Sequence, residues 1–105
     1  MSAAYLVIYE GKPQDPQAFL EYYLTTHVPI IWTWPGVRAV EVDYGVDGGD
    51  FYMVARFTFD SIVELRSALL SDGRERARED RQKFPPFIGT IRHQAVEIIG
   101  TTRNA

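Results

Sequence analysis

Phe19-Leu20-Glu21-Tyr22-Tyr23-Leu24-Thr25-Thr26-His27-Val28-Pro29 is the stretch on which the fold turns. At about 100° per residue, Phe19, Tyr23, Thr26, His27, Ile30 and Trp34 fall on one face, while Glu21, Thr25 and Trp32 point away. That is an amphipathic helix with one side on a core. Pro29 has no backbone N–H, clashes with the preceding turn and pushes Val28 away from helical geometry, so the helix is expected to break or kink there. The one side chain whose ordinary pKa lies near neutrality therefore stands beside a backbone irregularity and among aromatic rings.

Upstream, Asp15 is a good N-cap, and Pro16 follows at the first helical position, where a missing N–H costs nothing. Gly11-Lys12-Pro13-Gln14 reads as a turn, and Tyr5 to Tyr9, β-branched and aromatic, as a strand. Downstream, Trp34-Pro35-Gly36 ends the helix. Val37 to Val46 reads as a second strand, with Val40, Val42 and Tyr44 on one face and Ala39, Glu41 and Asp43 on the other. Asp47-Gly48-Gly49-Asp50 is a hairpin connection, since glycines accept the positive φ that tight hairpins need. Phe51 to Phe59 is a third strand, with Phe51, Met53, Ala55, Phe57 and Phe59 on one face and Tyr52, Val54, Arg56 and Thr58 on the other.

Ser61-Ile62-Val63-Glu64 is a capping box opening a helix with the stripe Ile62, Leu65, Leu69, which Asp72-Gly73 is expected to close. Arg74 to Lys83 is densely charged. Its Arg76–Asp80 and Glu79–Lys83 pairs at i,i+4 spacing predict a further, solvated helix. Phe84-Pro85-Pro86-Phe87 must leave it, a last strand lies within Ile91 to Ile99, and the final residues are expected to fray.

The order β-α-β-β-α-(α)-β is the ferredoxin-like arrangement: an α+β fold with the helices on one face of an antiparallel four-stranded sheet. The first and third strands should be central. Both their faces are largely apolar, yet helices cover only one, so a second copy of the same sheet is the cheapest cover and a homodimer is expected. The alternative is an amphipathic face wetted through Arg56, Thr58, Glu41 and Asp43.

Composition narrows the function. The 105 residues read as a single domain (1–105), 46% hydrophobic and 24% charged, which is ordinary globular composition. A net charge of −3 argues against a phosphate-neutralising surface, so no nucleic-acid partner is expected. The absence of cysteine excludes disulfides, thiolate nucleophiles and Cys-based metal centres. No apolar run nears the roughly 18–20 residues of a membrane span, and the N-terminus lacks a basic n-region, so no membrane partner and a cytoplasmic location are expected. The two histidines show no His-x-x-x-His or Glu-x-x-His spacing, so no metal is expected. Without a Gly-x-Gly-x-x-Gly or P-loop, neither a dinucleotide nor an NTP is indicated, and no cofactor is expected.

His27 is the candidate general acid or base, contributing on the order of 10²–10⁴-fold if positioned. Its second ring nitrogen would need an orienting partner, such as the Thr25 carbonyl that Pro29 leaves free, or Asp43. It could equally hold a kinked backbone in place. Tyr23 carries a hydroxyl that needs a partner when buried. Phe19, Trp34, Tyr44, Phe57, Phe84 and Phe87 could line a cavity for a planar apolar ligand, although rings at such spacing also build ordinary cores. Glu41, Asp43 and Arg56 read as an interfacial charge set, Tyr22 and Trp32 as dimer contacts, and His93 as a surface or dimer-contact residue. Arg74 to Arg81, with interleaved acids, reads as a solvated face.

The run Phe19-Leu20-Glu21-Tyr22-Tyr23…His27-Val28-Pro29…Pro35-Gly36-Val37-Arg38 resembles the EthD-like family of dimeric α/β barrels. Their first helix carries Phe-x-x-Tyr-Tyr-x-x-x-His-x-Pro, followed by Pro-Gly-aliphatic. Ala55-Arg56-Phe57-Thr58-Phe59-Asp60-Ser61 looks like the family's third strand and helix cap, and Asp80-Arg81-Gln82-Lys83-Phe84 like its Asp-x-x-x-Phe segment. Departures lie at Phe84-Pro85-Pro86-Phe87 and from Arg92 onward. The resemblance implies a small homodimeric barrel that binds a hydrophobic, ring-containing metabolite. It also implies cofactor-free isomerisation or cyclisation in a catabolic or polyketide-type pathway, with His27 as acid/base and Tyr23 assisting. The alternatives are a non-catalytic accessory protein supporting an oxygenase system of ether-degradation type, or a cofactor-independent monooxygenase. A fold that hosts many functions does not decide among them, and whether the chain is an enzyme stays open at this point.

Overall fold

The computed structural model describes residues 1–100, and the fraying expected of the last five lies outside the described residues. The elements are β1 (Ala3–Pro13), α1 (Pro16–Tyr22), a π-helical turn (Tyr23–His27), α2 (Val28–Ile31), β2 (Val37–Tyr44), β3 (Phe51–Phe59), α3 (Ile62–Leu69), α4 (Asp72–Arg81) and β4 (Phe87–Glu97). The strands form one antiparallel sheet in the order β2-β3-β1-β4, with β1 and β3 central. This is the ferredoxin-like α+β fold. Among the described residues no helix is long and apolar enough to cross a membrane.

The helix starts follow their caps. Asp15 Oδ1 accepts from the Ala18 N–H at 3.1 Å, and Ser61 Oγ accepts from Glu64 N–H at 3.3 Å. The expected kink is a π-helical turn, in which the Val28 N–H reaches back to the Tyr23 carbonyl. Pro29 then sits in the first turn of α2, where it withholds no needed donor. The extra residue in the turn shifts the buried face. Phe19, Tyr23, His27 and Ile31 point inward at a steady spacing of four, followed by Trp34, while Thr26 is exposed and Ile30 only half-buried. An uninterrupted α-helix would have turned Thr26 and Ile30 inward as well.

Three other expectations change. The turn expected at Gly11–Gln14 is strand up to Pro13. Gly11 and Gly89 face each other across β1 and β4 with positive φ, and a Cβ on either would collide with the partner strand's backbone. In β3 a bulge between the Met53 and Phe51 pairings turns Tyr52 to the helix side, where its ring meets Phe19 at 6.2 Å and Phe87 at 6.1 Å, and it leaves Phe51 exposed. Asp72-Gly73 opens α4 instead of closing α3, because Ser71 Oγ caps the Arg74 N–H at 3.3 Å. Gly73 is glycine for a packing reason: a Cβ there would lie 2.8 Å from Thr33 Oγ1 and 3.1 Å from Trp34 Cδ1. The first turn of α4 is therefore seated directly on Trp34.

On the helix side of the sheet, Tyr5, Val7 and Tyr9 of β1 and Met53, Ala55, Phe57 and Phe59 of β3 form a continuous core with Phe19, Tyr23, Ile31, Leu65 and Ala68. The other side carries Leu6, Ile8, Val54 and Val96, all half-buried. It is bordered by the ion pairs Arg56–Asp43 (3.8 Å) and Arg92–Glu10 (3.5 Å). None of the described helices lies on that side.

Candidate functional site

The π-helical turn directs His27 into the interior, leaving it 4% exposed. Widened helical turns of this kind are uncommon and recur at functional sites, because they re-aim a side chain without ending the helix. Opposite His27, α4 buries a stripe of Gly73, Ala77 and Asp80. Asp80 is 6% exposed and accepts two hydrogen bonds, from the Tyr22 hydroxyl at 2.6 Å and from His27 Nδ1 at 2.9 Å. A carboxylate can only accept, so the proton of the neutral imidazole resides on Nδ1 and Nε2 carries the free lone pair. Burial lowers the His27 pKa. The hydrogen bond and charge of Asp80 resist that shift, and the Arg81 guanidinium adds to it. The histidine is therefore neutral at pH 7, oriented at one nitrogen and basic at the other.

His27 borders a cavity of about 230 Å³ between the sheet and α2 and α4. Tyr5, Val7, Ile31, Trp34 and Phe57 supply its apolar wall, with Tyr9 beside them. Its opposite edge is cationic: Arg74, Arg78 and Arg81 of α4, with His93 of β4. His93 pairs with Val7 in the sheet register, and its ring lies 5.8 Å from Tyr5. Arg81 Nη1 donates to His93 Nε2 at 3.4 Å. Burial and then the three arginines hold the His93 pKa below its ordinary value.

Of the residues singled out in the sequence, His27, Trp34 and Phe57 line this cavity. Phe19, Tyr23, Phe84 and Phe87 do not. They form an aromatic cluster behind His27, with Phe84 edge-on to the imidazole at 4.6 Å and Tyr23 at 5.2 Å. The Tyr23 hydroxyl has no hydrogen-bond partner among the described residues. It is turned toward that of Tyr9, close enough to feel it but outside hydrogen-bonding geometry. Burial pushes both phenols well up, so neither is a proton donor of useful acidity. Tyr44 is 56% exposed at the far end of β2 against Tyr52, away from the cavity.

His27 is oriented by Asp80, not by the Thr25 carbonyl or Asp43. Asp80 forms no i,i+4 pair with Arg76, which instead donates to Thr33 Oγ1 at 2.9 Å. Tyr22, expected at a dimer contact, serves the site through Asp80, and His93 belongs to the cavity edge. The spacing Gly73, Ala77, Asp80 was the available signal: two small residues and one acid at i, i+4, i+7 mark a helix face pressed against something. Among the described residues no three His, Asp or Glu side chains cluster so as to hold a metal ion.

No protein-family model matches the chain, and no curated protein matches it. Solved structures do. An EthD family protein from Bacillus halodurans superposes with a TM-score of 0.80 at 26% identity, covering 94% of this chain and 100% of that one. A cofactor-independent oxygenase from Streptomyces nogalater gives a TM-score of 0.71 at 14% identity, over 98% of each chain. A monooxygenase from Streptomyces coelicolor, solved with the ligand nanaomycin D, gives 0.69 at 16% identity over 99% of this chain and 92% of that one. The last two likenesses concern the fold alone. With its His27-Val28-Pro29 and Pro35-Gly36-Val37 segments set in the same architecture, the chain resembles the EthD family over nearly its whole length.

Proposed function

We propose that the protein is a cytoplasmic homodimer that binds a hydrophobic, ring-containing metabolite between sheet and helices and moves a proton on it, with His27 as the base. The observation that carries this reading is the Tyr22–Asp80–His27 chain, which commits Nδ1 to Asp80 and leaves Nε2 as the free nitrogen of a residue that lines the cavity. Asp80 fixes the tautomer and compensates the imidazolium formed when Nε2 takes a proton, as a general base of lowered pKa requires. A C–H beside a carbonyl would lose its proton to Nε2, leaving its electron pair as an enolate. Return of that proton to another carbon completes an isomerisation with no cofactor. Phe84 and Tyr23 hold the ring of His27 from behind. The same abstraction from a phenol would leave an electron-rich phenolate. That reading is favoured by the likeness in fold to a cofactor-independent oxygenase.

The apolar side of the sheet supports the homodimer: Leu6, Ile8, Val54 and Val96 would be covered by the same side of a second copy, with Arg56–Asp43 and Arg92–Glu10 at the rim. Light scattering is expected to give twice the chain mass for the wild type and the chain mass for Val54→Asp. Proton transfer is tested in D₂O with a panel of cyclic enones and unsaturated lactones, following deuterium incorporation by mass spectrometry. The wild type is expected to accelerate exchange of at least one member, and His27→Ala to lose about 10²–10⁴-fold of that acceleration. Equal exchange by wild type and His27→Ala would end the acid/base assignment.

A further inference from the structure

We infer that the molecule taken into this cavity is an anion: a ring system bearing a carboxylate, held by Arg74 and Arg81 with Arg78 beside them. This rests on the cavity being a ligand site, as proposed above, and specifies what enters it.

The chain carries a net charge of −3, yet no Asp or Glu lines the cavity, while three arginines do. Their spacing of i, i+4 and i+7 places them along one edge of α4, beside the buried stripe Gly73, Ala77, Asp80. Asp80 adjoins Arg81 in sequence, but its two oxygens are taken by Tyr22 and His27. Among the described residues neither Arg74 nor Arg81 has a carboxylate within ion-pairing distance. Arg74 Nη1 donates to the Leu69 carbonyl at 3.2 Å and Arg81 Nη1 to His93 at 3.4 Å. Arg78 meets Glu75 only at 3.6 Å between two well-exposed side chains, a pair that competes weakly with a ligand. Glu75 and Glu79 border a separate groove on the outside of α4 together with Arg78 and Arg81, and neither reaches the cavity.

Positive charge concentrated in this way, with most of its N–H donors uncommitted, is open to an anion. A guanidinium presents a planar fork that matches a carboxylate with two parallel hydrogen bonds. Across the cavity the wall is Trp34, Phe57 and Tyr5, whose ring faces suit an aromatic or alicyclic ring and carry no formal charge. The two sides together describe an amphiphile, its ring against the sheet and its charge against α4. His93, kept neutral beside the same arginines, adds a polar group without a competing charge.

The test compares 2-naphthoate with its uncharged isostere 2-naphthamide by calorimetry, at low and at high salt. The naphthoate is expected to bind about 10- to 100-fold more tightly, with the preference shrinking as salt screens it. In the double variant Arg74→Gln/Arg81→Gln the preference should vanish while naphthamide binding persists, which also shows that the cavity has survived the substitutions. Arg38→Gln, which removes an exposed partner of Asp60, should leave the preference intact. Equal binding of the two probes, or a preference that survives the double variant, would overturn the anion assignment and leave the cavity standing. Failure of both probes to bind the wild type would overturn the cavity as a ring-binding site, and the inference with it.

Discussion

Two helical segments meet over the sheet, and they obey different rules. The stretch from α1 through the π-helical turn to α2 buries Phe19, Tyr23, Ile31 and, beyond it, Trp34; its apolar side turns inward and its one buried polar residue is His27. In α4, where arginines and acids make up most of the sequence DGRERAREDR, only Gly73, Ala77 and Asp80 are buried. Hydrophobic periodicity locates the first segment because burying large apolar groups drives its packing. It is blind to the second, which is held by a glycine seated on Trp34 and by one carboxylate receiving two donors. A polar helix can be as firmly placed as a greasy one, provided its few inward contacts are specific.

The largest test of that difference is Asp80→Ala. It leaves the His27 Nδ1–H without an acceptor in a buried setting and the half-buried Tyr22 hydroxyl without its partner, a loss of about 3 kcal/mol. For a domain of this size, that lowers Tm by more than roughly 10 °C in a thermal melt. A comparable polar-to-Ala change at exposed Glu79 should move Tm by little. Tyr22→Phe removes one donor and leaves the other, so about 1 kcal/mol is expected, and the two changes should not add. If Asp80→Ala melts like Glu79→Ala, α4 is a solvated helix after all and its contacts decide nothing.

The same contrast explains what the residues disclosed before any coordinates. The strand order, the Asp15 and Ser61 caps and the break beside His27 were all readable, because each rests on local chemistry or on alternation along a strand. The Tyr52 bulge was not, since a one-residue insertion in the ladder depends on how Glu10 and Phe51 meet across strands. Nor was the partner of His27. Asp80 is 53 residues away, and its i,i+4 spacing to Arg76 offered a surface pair that the fold declines. Aromatic rings were recognised as a set, but their division into cavity wall (Trp34, Phe57) and backing cluster (Phe19, Tyr23, Phe84, Phe87) is decided by tertiary placement alone.

Gly73→Ala sharpens the comparison at the point where the two segments touch. Alanine at a helical position ordinarily gains on the order of 1 kcal/mol over glycine. Here the new methyl would meet the Thr33 carbonyl oxygen at 3.2 Å and Thr33 Oγ1 at 2.8 Å, which could give way only by breaking its hydrogen bonds to the Ile30 carbonyl and the Arg76 guanidinium. Overpacking of about 1–3 kcal/mol should prevail, for a net loss of up to roughly 2 kcal/mol. An increase in stability would mean that α4 is free to shift on Trp34, and that the cavity edge it carries is not fixed.

The smallest effect is a slope. His27 and His93 both have pKa values lowered by folding, chiefly by burial, so between about pH 6.5 and their folded values the unfolded chain binds more protons than the native one. Stability should therefore fall as pH drops below about 6.5 and level off below the folded values, the reverse of the pattern for a histidine stabilised as a cation. His93→Gln removes one share of that slope and leaves Asp80, Tyr22 and His27 untouched. The part that persists in His93→Gln, measured by denaturant unfolding across this pH range, belongs to His27 if the neutral imidazole is the form the fold holds. A flat profile in His93→Gln would mean that Asp80 holds the imidazolium as readily as the imidazole, and that burial does not lower the His27 pKa.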